Sequence, residues 1–561
     1  MSRREPYDAI VIGSGISGGW AAKELTGRGL RTLVLEAGRP IDPATDYTMS
    51  VQPWQLPYRG RRDRDRQERQ RPVQRHCYAC DAWSEQFFVR DDENPYTTAP
   101  GTDFLWIRSR QVGGRSIVWG RQVYRWSDLD FEANARDGFG VDWPIRYADI
   151  EPWYDHVEEF IGVSGQAEGL PQLPDSRFLP PMELNCAERF VKEGIARHYD
   201  DRLLTIGRCA ILSRPHNGRA ACHYCGTCER GCTTHSYFSS LAATLPAAAA
   251  TGRMTLRPHS VAREVLYDPG TGRVRGVRAV DAETGEELEF EGRLVFLCAS
   301  ALESARLLLL STSERWPDGL ANSSGQVGKN LMDHCMGGGA NGVIPGMEDR
   351  WVYGRRPNGI YLPRFRNVTE PHPDFLRGYA YQGGAGRDGW GRGNDMEGFG
   401  ADFKHALREP GPWTFDFYGF GACLPRESNF VALDAERVDR WGIPALRIHC
   451  QWSANEHAML EDMSIQAAEM LEAAGARDVS PYVDDNPPGL TIHEMGTARM
   501  GRDPDTSVLN GWNQTWDVPN LFITDGASMA SSANQNPSLT YMALTARAAN
   551  HAVDLLDRGE L

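Results

Sequence analysis

The residues of this chain whose types and spacing could do chemistry lie in three places. Near the C-terminal end stand His493-Glu494-Met495-Gly496-Thr497-Ala498-Arg499-Met500-Gly501 and, downstream, Asn534-Gln535-Asn536-Pro537-Ser538-Leu539-Thr540. An imidazole titrates near neutral pH and can take a hydroxyl proton, and an amide can hold the same hydroxyl in place, so such a pair could prepare an alcohol for oxidation. Taken singly, a His is more often a satisfied core residue, and an Asn before a Pro reads as a helix cap with Pro at the first helical position. At the other end, Gly13-Ser14-Gly15-Ile16-Ser17-Gly18 is a GxGxxG run. There Gly13 would turn the chain, Gly15 would let a pyrophosphate approach the backbone, and Gly18 would permit close helix packing. Glu36, 21 positions beyond Gly15, would accept hydrogen bonds from ribose hydroxyls.

The third place is Cys222-His223-Tyr224-Cys225-Gly226-Thr227-Cys228-Glu229-Arg230-Gly231-Cys232, a CxxCxxCxxxC run followed by Thr233 where a ferredoxin-type run has Pro. Cys222, Cys225, Cys228 and Cys232 could converge on a [3Fe-4S] or [4Fe-4S] cluster, hold structural zinc, or simply be packed thiols or a disulfide. Cys77-Tyr78-Ala79-Cys80 is a second CxxC, open to a disulfide, a lid staple or further ligands.

The elements that must position these residues are legible in part. Residues 7–37 read as strand, Gly turn, helix, strand, a βαβ unit that places the GxGxxG run at a helix N-terminus, where exposed N–H groups and the helix dipole favour an anion. Residues 40–103 lose periodicity and read as long surface excursions. An amphipathic helix is expected near 150–161, and a β-meander over 254–262, 276–281 and 286–290. An apolar strand at 293–298 leads to a helix at 302–310, and residues 331–485 read as most of a substrate-side unit. Residues 539–556 carry a helical apolar period.

Both motifs, in this order and with these connecting segments, resemble the glucose-methanol-choline (GMC) family of FAD-dependent alcohol oxidoreductases over nearly the whole chain. The resemblance implies an α/β (α+β overall) fold in which a Rossmann-like FAD-binding domain is interleaved with a sheet-plus-helices substrate domain. The FAD-binding parts would be 1–50, 101–125, 251–330 and 486–561; the substrate domain 126–250 and 331–485, with the Cys run at 222–232; residues 51–100 a surface flap. It makes His493 the base and Asn536 its partner. It brings Asp525 and the N–H groups after it to the pyrophosphate and ribityl chain, and the backbone of Val261 to the adenine. Gly113, Gly114 and Ser116 would run along the isoalloxazine, and Pro537 would open a helix whose positive end faces the flavin pyrimidine edge. Val118 stands where the pyranose-oxidising branch has a His bonded covalently to the flavin, so a non-covalent FAD is implied. Residues 298–304 depart from the family's Gly-rich pattern. His334, in Gly328-Lys329-Asn330-Leu331-Met332-Asp333-His334, matches a family segment and reads as structural.

Likeness of residues 108–131 and 143–165 to bacterial glucoside 3-dehydrogenases narrows the expectation to oxidation of a secondary sugar or glycoside hydroxyl, at ring position 3, to a ketone. Electrons would leave through an iron–sulfur cluster to an external acceptor, with a small partner subunit and a cytochrome c as partners. The alternative is an oxidase that reduces O2 to H2O2, its Cys run structural. Trp106, Trp119, Trp126, Phe415, Phe417 and Tyr418 could stack on a pyranose, though such clusters are more often core.

Composition limits the other classes. A net charge of -15 opposes binding to nucleic acid or anionic membrane. The basic run 59–75, eight Arg with three acids, reads as a solvated surface loop. No apolar run approaches the ~20 residues of a membrane span, and the start reads as leaving no room for a signal peptide. The chain is therefore expected to be cytoplasmic, or periplasmic if exported with a signal-bearing partner.

Overall fold

The computed structural model describes residues 6–561. Its first strand, Tyr7–Ile12, is fully buried from Ala9 onward, as an apolar β-branched strand covered on both faces must be. It ends at Gly13, where φ is +97° and an added Cβ would lie 2.4 Å from the Cys298 carbonyl oxygen, a position only glycine can fill. Helix Ile16–Gly27 follows, and strand Thr32–Leu35 returns parallel beside the first, giving the expected βαβ unit.

Distant segments complete this sheet. Met254–Arg257 adds outside Thr32–Leu35, Glu287–Leu297 lies on the other side of Tyr7–Ile12, and Leu521–Ile523 lies beyond that, all parallel. The meander is real but its boundaries differ from those expected. Alternation across 254–262 conceals a break at Pro258 and His259, whose φ is +55°; Met254–Arg257 joins the parallel sheet, and the meander starts only at Ser260. Its strands are Ser260–Asp268, Arg273–Asp281 and the first half of Glu287–Leu297. That last strand is antiparallel to Arg273–Asp281 up to Glu291 and runs on as an inner strand of the parallel sheet from Gly292, between Tyr7–Ile12 and Leu521–Ile523. Helix Ala301–Leu310 follows it, and helix Ser538–Asp557 packs against Ile16–Gly27.

A second, antiparallel sheet has the order Arg477–Val483, Cys335–Ile344, Trp413–Gly421, Tyr379–Arg387, Ile360–Leu362, Thr205–Ile206. Along Trp413–Gly421 burial alternates strictly. Phe415 and Phe417 join a core with Met459, Met463 and Met470 of the long helix Ala454–Ala474, while Tyr418 and Phe420 turn to the opposite face, toward a cavity. The expected amphipathic helix is present as Tyr147–Ile161, where Glu158 meets Arg125 at 3.0 Å in a buried pair.

The segment 51–100 is more built than a plain excursion. Cys77, Cys80, Phe87 and Phe88 pack with Ile107, Ile117 and Val118 in a cluster of their own. The basic run 59–75 is likewise not a bare loop: it contains helix Arg64–Gln70, and Gln74 is buried with its amide donating to Asp91 and the Trp106 carbonyl. Among the described residues no helix is long and apolar enough to cross a membrane.

Candidate active site

A cavity of about 730 Å³, in the range of cofactor and ligand sites, is walled by the first sheet on one side and by Met336, Gln382, Tyr418 and Phe420 of the second on the other. At one end lies the GxGxxG turn. Gly15 starts helix Ile16–Gly27 with no side chain capping it, so the first helical N–H groups are left to the cavity, and a Cβ added at Gly15 would meet no atom within 4 Å. Gly18 serves packing: its Cβ would stand 1.9 Å from the Gly13 carbonyl oxygen. Glu36 lines the same end, its carboxylate accepting from Ser14 N (3.1 Å), Ser14 Oγ (2.5 Å) and Gly38 N (2.9 Å). Burial raises its pKa.

Along the cavity, Gly114, Arg115, Ser116 and Val118 contribute lining. Gly113 does not line it, but turns the chain at φ +96° and donates its N–H to Ser14 Oγ at 3.0 Å, tying this stretch to the first turn. Val261 lines it too, at the start of a strand rather than the end. Asp525 accepts from Ser300 N (2.9 Å), Ser304 Oγ (2.5 Å) and Ala527 N (3.0 Å), and burial lifts its pKa to about 6. Ser300 itself sits at φ 85°, ψ 157°, a conformation for which glycine is made, at the departure from the Gly-rich pattern noted in 298–304.

At the far end are His493 and Asn536. Ile492, at φ +66°, turns the chain so that the His493 N–H donates to Asp333 Oδ1 at 3.0 Å. His493 Nε2 faces Asn536 Nδ2 at 3.5 Å, and Asn536 Oδ1 accepts from Gln382 Nε2 at 2.7 Å. Burial, then His334 and Arg115, hold the His493 pKa well below 6.5, so the ring is neutral at ordinary pH. Asn536 is not the helix cap expected. Helix Ser538–Asp557 begins one residue later with Pro537 at the cap position, and the Asn536 amide is engaged by Gln382 instead. Pro537 does not line the cavity; Ser538 and Tyr541 do.

Three contributors escaped the sequence reading. His334, read as structural, contacts the His493 ring, and Gln382 anchors Asn536 from a strand with no motif. Arg115 grips buried Glu494 through two bonds, 3.0 and 2.8 Å; Arg115 stands in the Gly-rich stretch and Glu494 beside His493, a signal that was available. Of the aromatics considered for a sugar, Trp119 and Tyr418 line the cavity, whereas Trp106, Trp126, Phe415 and Phe417 are core.

The cysteine run behaves differently from the ligand set expected. Cys222, Cys225, Cys228 and Cys232 do line one small cavity, and all are free thiols, as are Cys77 and Cys80. Yet among the described residues no three His, Cys, Asp or Glu side chains are disposed to hold a metal ion. The loop is fixed by its own turns and by Arg355 N donating to the Tyr224 carbonyl at 2.8 Å. As placed, the thiols do not fit a metal centre.

Sequence profiles of the GMC oxidoreductase N- and C-terminal domains match residues 7–336 and 425–545. The chain belongs to the GMC oxidoreductase family. It is 31% identical to 2-methyl-1,2-propanediol dehydrogenase of Mycolicibacterium austroafricanum, over 97% of this chain and 94% of that one. It is 26% identical to the fructose dehydrogenase large subunit of Gluconobacter japonicus, over 98% of each. Pyridoxine 4-oxidase from Mesorbium loti shares the fold, with a TM-score of 0.61 at 16% identity over 97% of this chain and 98% of that one. This family member is an oxidoreductase, and FAD is the family's cofactor. The residues present fit that group: an uncapped helix N-terminus, a glycine cradle that a Cβ would fill, and Glu36 placed for a ribose.

Proposed function

We propose that this oxidoreductase binds FAD non-covalently and oxidises a secondary hydroxyl of a sugar or glycoside, at the ring 3-position, to a ketone. The observation that carries the reading is the approach of His493 Nε2 and Asn536 Nδ2 to 3.5 Å on the wall of the cavity into which Gly15 opens. In this reading residues 1–50, 101–125, 251–330 and 486–561 bind the cofactor, 126–250 and 331–485 shape the substrate side, and 51–100 flanks both.

Bound FAD would supply the hydride acceptor. His493 takes the hydroxyl proton at Nε2; being neutral well below pH 6.5, it is ready to do so throughout the neutral range. Asn536 donates from Nδ2 to the same hydroxyl oxygen and so orients the carbinol C–H. Glu36 and the first turn of Ile16–Gly27 hold the dinucleotide, with Asp525 organising the N–H groups beside it. Val118, with no nucleophile, supports dissociable binding.

The sugar class is supported by the fructose dehydrogenase relative, and the ring position by the likeness of 108–131 and 143–165 to glucoside 3-dehydrogenases. The same relative, being a large subunit, supports a partner subunit; the cytochrome c acceptor rests on the likeness to glucoside 3-dehydrogenases. The iron–sulfur relay expected at Cys222, Cys225, Cys228 and Cys232 is left out of this reading, because the thiols as placed do not fit a metal centre; iron and acid-labile sulfide in the purified protein would restore it.

Anaerobic mixing of the FAD-loaded enzyme with a panel of sugars and glycosides tests the whole. Flavin bleaching by a glycoside, with a 3-keto product, is expected, and His493→Ala should abolish it while dithionite still reduces the flavin. Unchanged bleaching in that variant would remove His493 as the base, and stoichiometric H2O2 in air would favour the oxidase alternative.

A further inference from the structure

His334 and Gln382 stand at the two ends of a four-residue chain of polar contacts that runs through the reaction site. His334 is fully buried on the strand-side wall, its backbone N–H donating to Thr491 Oγ1 at 3.3 Å. Its Nδ1 faces His493 Nδ1 at 3.2 Å, with ring centroids 4.7 Å apart. Its other nitrogen, Nε2, is buried and has no hydrogen-bond partner among the described residues, and the ring lies edge-on to Phe420. Beyond His493 come Asn536 and then Gln382, whose Nε2 donates to Asn536 Oδ1.

Two neutral imidazoles whose Nδ1 atoms face each other share one proton: one nitrogen carries it and the other must accept. Only two orders exist. If His334 donates, His493 carries its own proton on Nε2 and cannot take one from an alcohol. If His493 donates, its Nε2 is bare toward the cavity, and His334 holds its proton on the orphaned Nε2. The far end of the chain favours this second order. With Asn536 Oδ1 occupied by Gln382, the Asn536 NH2 group faces His493 Nε2, and a donor there requires a lone pair opposite.

We propose that His334 and Gln382 are positioning residues that fix the proton order of His493, His334 by accepting from its Nδ1–H and Gln382 by setting the direction of the Asn536 amide. The inference rests on the reading of His493 as the base. When His493 gains the substrate proton at Nε2, its Nδ1–H keeps a neutral acceptor in His334, so the buried imidazolium is not left with an unpaired donor. The other ionisable groups around the pair are Asp333, which accepts the His493 backbone N–H, and the Arg115–Glu494 pair.

The test compares flavin reduction in FAD-loaded variants, followed anaerobically across pH. His334→Phe keeps a buried ring and removes the acceptor; reduction should slow by about 100-fold, the scale of general-base catalysis, with substrate affinity little changed. His334→Asn restores an acceptor near the Nδ1 position and should recover most of the rate, whereas Gln382→Leu should lose about 10-fold. His334→Phe reducing at the wild-type rate, or His334→Asn as slow as His334→Phe, would overturn the proposal in favour of packing alone. His493→Ala run in parallel separates the two readings: if it keeps its rate, the base assignment fails, and if it loses its rate while His334→Phe does not, only the proton-order proposal fails. Should His334→Phe not fold, nitrogen-15 NMR of histidine-labelled wild-type enzyme decides directly, since a protonated Nε2 on resting His493 contradicts the proposal and a bare one supports it.

Discussion

Gly15 and Gly18 belong to one motif but are held by different forces, and substituting each by alanine should separate them. Gly15 has φ −68°, which alanine adopts freely, and its added Cβ meets nothing within 4 Å. Gly→Ala at a compatible backbone position stabilises by about 0.4–1 kcal/mol, and replacing Gly by Ala at a helix cap offsets a similar amount, so FAD-free Gly15→Ala should unfold within about 1 kcal/mol of wild type. With FAD bound, the methyl group occupies the space the pyrophosphate needs against the helix N–H groups. Loss of one charge-assisted hydrogen bond costs about 1.5–3 kcal/mol, or about 10- to 150-fold in affinity. Gly18→Ala does the reverse. Its Cβ would lie 1.9 Å from a backbone oxygen, where ordinary contact begins at 3.4 Å, and overpacking of this kind costs about 1–3 kcal/mol or more before any ligand is present. Titration of FAD-stripped protein by flavin fluorescence quenching, with thermal unfolding of the same samples, reads both effects. Wild-type FAD affinity in Gly15→Ala, or a fall in its melting temperature matching that of Gly18→Ala, would refute the division of roles.

Flavin reduction by substrate should stay level as pH falls through 6.5, because His493, with its pKa held lower by burial, remains a free base there; the acid limb should appear only below, and a midpoint at or above 6.5 in stopped-flow measurements would contradict this. Ser300→Gly should raise thermal stability by about 1 kcal/mol, relieving an L-residue held at φ 85°, ψ 157°, and a lower melting temperature would show that the conformation is not strained. Arg125→Met leaves the carboxylate of fully buried Glu158 without its partner and should cost about 3–5 kcal/mol in denaturant unfolding, with Arg125→Met/Glu158→Leu recovering most of it. Acid or detergent denaturation should release the yellow colour into the supernatant, since Val118 offers no atom for a flavin bond; colour retained on the precipitate would disprove that.

Much of the nucleotide end was legible because each glycine there has one local reason that sequence records. A turn at positive φ, a helix start and a following strand are all short-range, and Gly13, Gly15, Gly18 and Glu36 follow from them. The strands that finish the sheet were less legible. Alternation across 254–262 looks continuous until Pro258 and His259 break it, and nothing local announces that Glu287–Leu297 changes partners at Gly292. His493 and Asn536 carried motifs; of the residues that orient them, His334 lay in a family segment but read as structural, and Gln382 carried no motif. Gln382 sits in a Gly-rich strand, and its role depends on pairing with strands that begin at Ile360 and Trp413, which no spacing reveals. The cysteine run illustrates the converse: its spacing is suggestive, while among the described residues no three His, Cys, Asp or Glu side chains are disposed to hold a metal ion.

The strand Glu287–Leu297 is bordered by Tyr7–Ile12 on one side and Leu521–Ile523 on the other, and Ser538–Asp557 presses on the helix that starts at Gly15. The nucleotide turn has one sheet neighbour close by, Thr32–Leu35, but its other neighbour, Glu287–Leu297, follows Tyr7–Ile12 by about 280 residues, and helix Ser538–Asp557 lies further along still. Contacts of such long sequence separation close slowly and late. A chain lacking these later segments therefore lacks part of the sheet and the helix that hold the dinucleotide turn. Loading waits on helix Ser538–Asp557, and a protein cut back before that helix should be made without its cofactor.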